Sequence, residues 1–550
     1  MSTKLLDGNL YKTLVSNGCQ SLINDIERIN ALNVFPVPDG DTGTNMKMTI
    51  EGGVKAIIAD NEPSIGLMSK KLSRAMTMSA RGNSGVILSQ FFKGMSLGLE
   101  GKDSVDASEL ANAFDAGVKQ AYKVVQKPTE GTMLTVMREA TEKAINEASN
   151  FESIEDFFAC FIKEAHASLE RTPELLPVLK QAGVVDSGGA GYNRIIEGMI
   201  LALDGDILVA QEAYEKEMAN HSLTSTFNAD SELEFGYCTE FILQLQNKKV
   251  NIETFDVKTI VEFLETIGNS IVAFKDEDIV KVHVHTFTPG KVIEFCQQFG
   301  EYVTFKMENM SVQHSELESI PTEVAKKEHQ KYAVVAVSSG SGISQAFTEM
   351  GCDVIVSGGQ TMNPSSEDFI EAFKKLDAEN IFVFPNNSNI IMAAKQAAEN
   401  YEDANVIVVP TKSIAACYSA LSMLDYSSDD IDTILDDFNM AIDNVTSASV
   451  TYAIRDSVID GVEIHKDDYM ALVNGKIVAS TQGKIEVVKQ LFEKLDDIDE
   501  KEVVTVIYGK DVTDEEKEEL VNYLNEAYSH IEIGEIDGNQ DIYSFILAIE

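Results

Sequence analysis

The chain has 550 residues, 44% of them hydrophobic, enough to bury the cores of about two to four domains. Asp plus Glu number 89 against 44 Lys plus Arg, a net charge of −45, which excludes nucleic acid and anionic membrane surfaces as partners. A polyphosphate would be repelled too, so a nucleotide site here must bring metal ions and backbone N–H groups. The six cysteines, Cys19, Cys160, Cys238, Cys296, Cys352 and Cys417, have no paired spacing, which suits a reducing compartment. Met1–Leu10 has no apolar signal core, and no run of about 18 apolar residues occurs. The expectation is a cytoplasmic protein that is not membrane-embedded.

From Leu10 to about Leu203 the pattern is helical. Leu10, Leu14, Leu22, Ile26 and Ile29 recur at helical spacing, and amphipathic runs follow at Met68–Met78, Val105–Val125 and Ile154–Leu169. Between them lies the most informative stretch, Asn33-Val-Phe-Pro-Val-Pro-Asp-Gly-Asp-Thr-Gly-Thr-Asn-Met46. Pro36 and Pro38 exclude a helix there. Gly40 and Gly43 let the backbone turn close to a ligand. Asp39 and Asp41, one glycine apart, present oxygen ligands of the kind Mg²⁺ takes alongside water and phosphate. The same composition also makes ordinary surface turns.

Asp204–Ser231 reads as a linker. From Leu233 the period changes to two, with strands at Phe241–Gln246 and Ile279–His285 and a helix near Val257–Ile267 between them. His283 and His285 flank Val284, so a strand puts both on one face. Cys238 lies on another predicted strand, in Tyr237-Cys-Thr-Glu240. Cys plus two His suits Zn²⁺, the fourth position falling to water, Glu240 or a partner. Satisfied sheet histidines and a buried cysteine are the plainer alternative. The polar stretch Gln313–Glu328 closes this region.

From Tyr332, strand-like runs at Ala333–Val337, Val354–Val356, Ile381–Phe384 and Val406–Val409 each lead into a turn and a helical stretch. That βαβ rhythm predicts a parallel sheet. The segments Ser357–Pro364, Pro385–Asn389 and Pro410–Ser413 would lie at strand C-ends, where such sheets gather ligands. Ordinary loop chemistry accounts for them equally well.

Four segments carry a family resemblance: Leu32–Met46, Ala80-Arg-Gly-Asn-Ser-Gly-Val-Ile-Leu-Ser-Gln90, Glu130-Gly-Thr-Met-Leu-Thr-Val-Met-Arg-Glu139 and Val185-Asp-Ser-Gly-Gly-Ala-Gly-Tyr192. The first resembles the metal loop of dihydroxyacetone kinase L subunits. Together the four resemble the bacterial fatty acid kinase A subunit, as do Tyr237-Cys-Thr-Glu-Phe241 and Lys281-Val-His-Val-His-Thr286 farther on. The resemblance implies an all-α kinase domain over residues 1–210, an antiparallel barrel of about eight helices. It further implies a middle α/β domain with a metal site over 230–315 and a larger DegV-like α/β domain over 330–550.

The resemblance also implies ATP and two Mg²⁺ ions as cofactors, with Asp39 and Asp41 as ligands; the dihydroxyacetone kinases carry a third acidic ligand upstream, for which the candidate here is the neutral Asn33, at a slightly different spacing. Thr44, Asn45, Asn83, Ser84 and Gly85 would lie at the phosphates. Ser84 opens the run Val86–Phe92, so its N–H would point at phosphate from a helix N-terminus; a simple Ser N-cap is compatible with that. Thr132 and Met133 resemble the nucleotide-contacting segment, and Asp186 and Gly188 the segment that closes over the nucleoside. Arg138 would pair with phosphate or be an exposed helical arginine. Cys238, His283 and His285 would hold Zn²⁺, and Gly268-Asn269-Ser270 replaces the family's Gly-Asp-Ser.

The chain has no GxxxxGK[ST] loop and no protein-kinase signature. No general base stands out. None is needed if the acceptor is a fatty acid carboxylate, already ionised at neutral pH. The expected activity is therefore transfer of the ATP γ-phosphoryl group to a fatty acid held by a separate DegV-type fatty-acid-binding protein, giving an acyl-phosphate. A small-polyol kinase of the dihydroxyacetone type and a non-catalytic lipid-binding or scaffold protein are the alternatives. Thr361-Met-Asn-Pro-Ser365 only partly resembles a DegV lipid loop, so the C-terminal domain is expected to dock the carrier or self-associate. A homodimer is left open.

Overall fold

The computed structural model describes residues 2–33, 40–125, 127–208, 237–252, 254–264, 266–276, 278–309, 329–360, 362–424 and 430–550. Asp39, Thr361, most of the expected linker and the stretch 313–328 lie outside the described residues. The described residues up to 208 pack together with those from 329 onward as one unit, and 237–309 form another.

Up to residue 208, the described residues of the first unit form a two-residue antiparallel pair, β1 (Leu6–Asp7) and β2 (Ser104–Val105), and ten α-helices. These are α1 (Gly8–Ile23), α2 (Ile26–Ala31), α3 (Thr42–Ile57), α4 (Ile65–Met78), α5 (Gly82–Gly98), α6 (Ala107–Val124), α7 (Met133–Glu147), α8 (Ile154–Leu175), α9 (Pro177–Ala182) and α10 (Ser187–Leu203). Local capping sets their starts. Ser64 accepts from Leu67 N and begins α4 three residues before the periodicity suggests. Asp106 and Glu109 form a capping box that begins α6 two residues later than expected.

Contacts run α1–α4–α5–α6–α7–α8–α10 and return from α10 to α1, with α3 touching α1, α4, α5 and α10. Every long helix thus buries its apolar stripe against neighbours. Phe91 from α5, Phe114 from α6 and Tyr192 from α10 meet edge-to-face at the centre, Phe91 lying 5.4 Å from both other rings. Phe157 and Phe161 of α8 complete the cluster, each 5.0 Å from Phe114.

The second unit is a four-stranded antiparallel sheet of β3 (Tyr237–Leu245), β4 (Gly268–Asp276), β5 (Ile279–Thr286) and β6 (Gly300–Asn309), in the order β4-β5-β3-β6. Helices Lys258–Leu264 and Pro289–Cys296 cover one face, and Phe241, Leu243, Val282, Val284 and Cys296 make the core.

Returning to the first unit, β7 (Gln330–Ser338), β8 (Val354–Ser357), β9 (Ala378–Phe384) and β10 (Asn405–Val408) form the expected parallel sheet, in the order β10-β9-β7-β8. That order changes winding direction between β7 and β9, the switch point of a doubly wound sheet. A second sheet, absent from the sequence reading, follows. It contains β11 (Thr446–Tyr452), β14 (Tyr469–Val473), β15 (Lys476–Thr481), β16 (Val503–Gly509), β17 (Glu532–Gln540) and β18 (Tyr543–Ile549). Its order is β15-β14-β11-β18-β16-β17, and only the β16–β17 pair is parallel. β12 (Ser457–Ile459) and β13 (Val462–Ile464) make a separate hairpin.

The helical part and the first parallel sheet share a core. Ala80 and Val86 are buried among Val335, Val337, Val356, Phe369 and Phe373. Beside them, buried Gln396 accepts from Gln90 Nε2 at 2.8 Å and donates to Thr77 O at 2.5 Å. No described helix is long and apolar enough to cross a membrane.

Candidate functional site

Four helices begin at one cavity of about 470 Å³. Thr42 of α3, Asn83 and Ser84 of α5, Met133 of α7, and Ser187 and Gly188 of α10 all line it from the first turn of their helices. Each helix leaves its first N–H groups without intrahelical partners and carries partial positive charge at that end. Asn30 takes N–H groups of α3 and Asp186 those of α7 and α10, whereas the start of α5 has no side-chain cap; the four converging dipoles still favour an anion. The preceding residues Asp41, Thr132 and Asp186 line the cavity too, with Asn33, Asn45 and Ile87.

At the start of α5 the sequence expectation needs one correction. The helix begins at Gly82 with Arg81 at the N-cap, so Ser84 is its third residue and does not cap it. Gly82 takes φ +58°, and a Cβ there would lie 2.5 Å from Asn45 Nδ2. Gly85 does not line the cavity. Its missing side chain leaves room for Thr49 Oγ1, which a Cβ would meet at 2.3 Å. Thr49 in turn donates to Asn45 O at 2.7 Å, one turn back in α3, and accepts from Arg81 N at 3.3 Å at the start of α5.

Asp41 occupies the N-cap of α3 but makes no capping bond. Asn30 does that work from α2: its Oδ1 accepts from Gly43 N at 2.7 Å and Thr44 N at 3.3 Å, and its Nδ2 donates to Thr44 Oγ1 at 3.1 Å. Thr44 is thereby held by Asn30 and lies off the cavity wall. The buried Asp41 carboxylate accepts instead from Asn363 Nδ2 of the C-terminal region. Asn363 is 2% exposed, and its Oδ1 has no partner among the described residues. Arg81 Nη1 donates to Asn363 O at 2.8 Å and pairs with Asp368 at 3.2 Å, clamping the same loop.

Asp186 caps α10, accepting from Gly189 N at 2.7 Å. Burial pushes its carboxyl up to about 6, against the opposing pull of the Gly189, Met133 and Gly188 N–H groups. Ser187 Oγ donates to Thr42 Oγ1 at 3.3 Å, tying the α10 and α3 starts together. Thr132 Oγ1 donates to Thr129 O at 2.8 Å, ordering the turn into α7. Arg138 faces away from the cavity and pairs with Glu130 at 2.9 Å and Glu142 at 3.5 Å.

The opposite wall comes from strand C-ends: Gln360 after β8, Asn387, Ser388 and Asn389 after β9, and Lys412 after β10. The β14–β15 hairpin adds Leu472 and Gly475, and Tyr543 opens β18. Asn83 Nδ2 donates to Asn389 Oδ1 at 3.2 Å, joining the two walls, and Asn387 Nδ2 donates to Gln360 Oε1 at 2.6 Å within the second. The sequence singles out the βα loops but not their meeting with the helical motifs. Gly475 has a readable signal: Asn474-Gly475 at φ +48° and +81° is a two-residue hairpin turn between alternating apolar runs.

In the middle unit, Cys238 stands opposite His285 and Glu240 opposite His283 in the β3–β5 register, so the alternation puts all four positions on one sheet face. The side chains of these residues lie outside the described ones, as does Asp39. Among the described residues, no three His, Cys, Asp or Glu side chains gather as a metal site.

Three family models match in succession: the DAK2 domain over residues 36–201, the FakA-like middle domain of fatty acid kinases over 234–317 and the FakA-like C-terminal domain over 333–550. Protein YloV of Bacillus subtilis is 40% identical, covering 100% of both chains. The chain belongs to the FakA-like fatty acid kinase family. As in that family, a helical DAK2 domain precedes α/β domains, which marks a kinase-like subunit. Two solved structures show weaker likeness. The dihydroxyacetone kinase of C. freundii in complex with AMP-PNP and Mg²⁺ is 20% identical over 35% of this chain and 33% of its own, with a TM-score of 0.28. A fatty-acid-binding DegV family protein of Thermus thermophilus is 11% identical over 40% of this chain and 100% of its own, with a TM-score of 0.30.

Proposed function

We propose that this chain is the ATP-dependent kinase subunit that phosphorylates a fatty acid carboxylate, presented by a separate DegV-type fatty-acid-binding protein, to an acyl-phosphate. The observation that carries the reading is the convergence of four helix N-termini on a cavity whose rim holds Asp41. In a chain of net charge −45, that is where a triphosphate finds compensating partial charge. Asp39, Asp41 and Asn33 are the residues that would hold Mg²⁺; their oxygens fit a hard cation, which when bound neutralises the phosphate chain. Asn45, Asn83, Ser84 and the α5 N–H groups would orient the phosphates, with Thr44 and Gly85 supporting from behind. Thr132, Met133, Asp186 and Gly188 would enclose the nucleoside. The closed circuit of helix contacts supports the implied barrel of about eight helices.

Catalysis then consists of positioning and charge stabilisation, which suffices for phosphoryl transfer. The carboxylate acceptor arrives without a proton to lose. A hydroxyl acceptor, the small-polyol alternative, would need a base. The middle domain would hold Zn²⁺ through Cys238, His283 and His285, a soft-borderline donor set whose strand register supports the assignment. The domains run 1–210, 230–315 and 330–550, and the protein works in the cytoplasm, with a homodimer open.

The deciding assay incubates purified protein with Mg-ATP and a fatty acid, with and without the carrier, and monitors acyl-phosphate. Carrier-dependent acyl-phosphate is the expected result. Dihydroxyacetone phosphorylation with no acyl-phosphate would select the polyol reading, and no turnover with either acceptor would leave the scaffold reading.

A further inference from the structure

The cavity's two walls differ in charge in a way the nucleotide reading leaves unexplained. The helical wall contributes backbone N–H groups and two acids, Asp41 and Asp186. The opposite wall is uncharged, mostly amide and hydroxyl with Leu472 and Gly475, except for Lys412, the one basic side chain lining the cavity among the described residues. Other cations near this cavity or elsewhere in the same unit are held by acids, Arg81 by Asp368, Arg138 by Glu130, Lys484 by Asp511 and Glu516. Lys412 has neither an ion pair nor a hydrogen bond among the described residues and is exposed to the cavity.

Its position is built rather than incidental. The residue before it, Thr411, is fully buried, accepts from Asn386 N at 3.1 Å and donates to Asn386 Oδ1 at 2.7 Å. Asn386, held at φ +60°, donates its Nδ2 to Val337 O at 2.7 Å, which ties the β9 and β10 loops to β7 at the switch point. The residue after it, Ser413, caps the next helix, Ile414–Ser422. The backbone on both sides is fixed, so the ammonium alone ranges into the cavity. The Asn83–Asn389 bond then sets this wall at a defined distance from the start of α5.

We propose that Lys412 binds the terminal phosphoryl group of the nucleotide, so that the C-terminal region completes the phosphate site in cis. This rests on the nucleotide reading of the cavity. The proximal phosphates are served by the helix N-termini on one wall. The terminal group projects toward the acceptor side, and Lys412 offers the compensating charge there. A lysine acts on phosphate as a mobile point charge, able to follow the group as it leaves the nucleotide.

The test is calorimetric titration of the full chain with Mg-AMP-PNP and with Mg-ADP. Lys412→Ala is expected to weaken AMP-PNP binding about 10- to 100-fold while leaving ADP within about threefold. Lys412→Arg is expected to restore AMP-PNP binding, and Lys412→Glu to weaken it beyond the alanine variant. Circular dichroism should match the wild type, because the side chain is exposed. Equal loss for both nucleotides would place Lys412 at a shared phosphate and overturn the terminal assignment, as would no loss for either. Wild-type protein that binds neither nucleotide would overturn the reading of the cavity itself, a result distinct from a silent Lys412 variant in a protein that binds both.

Discussion

Asn363 donates its Nδ2 hydrogen to Asp41 Oδ2 across 322 positions of sequence. A side chain from the C-terminal α/β region therefore sits on the carboxylate that the metal-loop motif singles out. The same loop holds Arg81 through the Asn363 carbonyl. The start of α3, the start of α5 and the C-terminal region are thus one hydrogen-bonded assembly.

Replacing Asp41 tests the metal-loop assignment. Asp41→Asn keeps the side-chain volume but removes the charge; Asp41→Ala removes the oxygens as well. Both are expected to lower turnover at least about 100-fold at saturating Mg-ATP, because the triphosphate loses its cation in an acidic protein. Turnover and far-ultraviolet circular dichroism measured together separate this from unfolding. Wild-type turnover in either variant would end the assignment.

Two glycines with similar backbone angles should behave differently. Gly82 at φ +58° faces Asn45, whereas Gly183 at φ +67° has nothing within 4 Å of its built Cβ. Gly183→Ala should cost about 1 kcal/mol from backbone strain alone. Gly82→Ala should cost about 2–4 kcal/mol and also weaken nucleotide binding, since Asn45 must move. Urea denaturation of both variants gives the comparison.

Asp186 makes stability depend on pH in a stated direction. Its folded value, about 6, lies above the ordinary 3.8, so the folded protein holds this proton longer than the unfolded chain. The unfolded state binds fewer protons across that window, so this contribution is full below about 4 and is lost as pH rises to 6 and beyond. Asp186→Asn retains an N-cap acceptor and carries no charge. It is expected to match the wild type at pH 4 and to exceed it by about 1–3 kcal/mol at pH 8. Chemical denaturation at the two values should show the gap opening with pH; a gap of constant size would refute the burial argument.

For the middle unit, protein purified without chelator should carry about one zinc ion per chain, lost in the Cys238→Ser, His283→Ala and His285→Ala variants. Elemental analysis showing no transition metal would return these residues to ordinary sheet positions.

Much of the helical wall was readable because its chemistry sits at helix starts, where Asp, Thr, Ser and Gly have positional meaning. Asp41, Asn83, Ser84, Thr132 and Asp186 all reach the cavity from such places. Asn30 was not readable: its capping of α3 depends on α2 folding back beside it, and no spacing encodes that. Asn363 and Lys412 fell in loops that the parallel-sheet rule picked out, yet only tertiary packing brings those loops to α5. The second sheet was missed for a different reason. Its hairpin turn, Asn474-Gly475, is legible, but helices separate its later strands, so no regular strand rhythm marks it.

The core shared through Ala80 and Val86 has a consequence for synthesis. Their partners Val335, Val356 and Phe369 leave the ribosome only after the whole middle region has been made. At about 5–20 residues per second, the helical part waits roughly 10–60 s with that apolar patch and the Gln90 side chain uncovered. The nascent chain is therefore most exposed to misassembly midway through translation, and a chain that stops early keeps that exposure permanently.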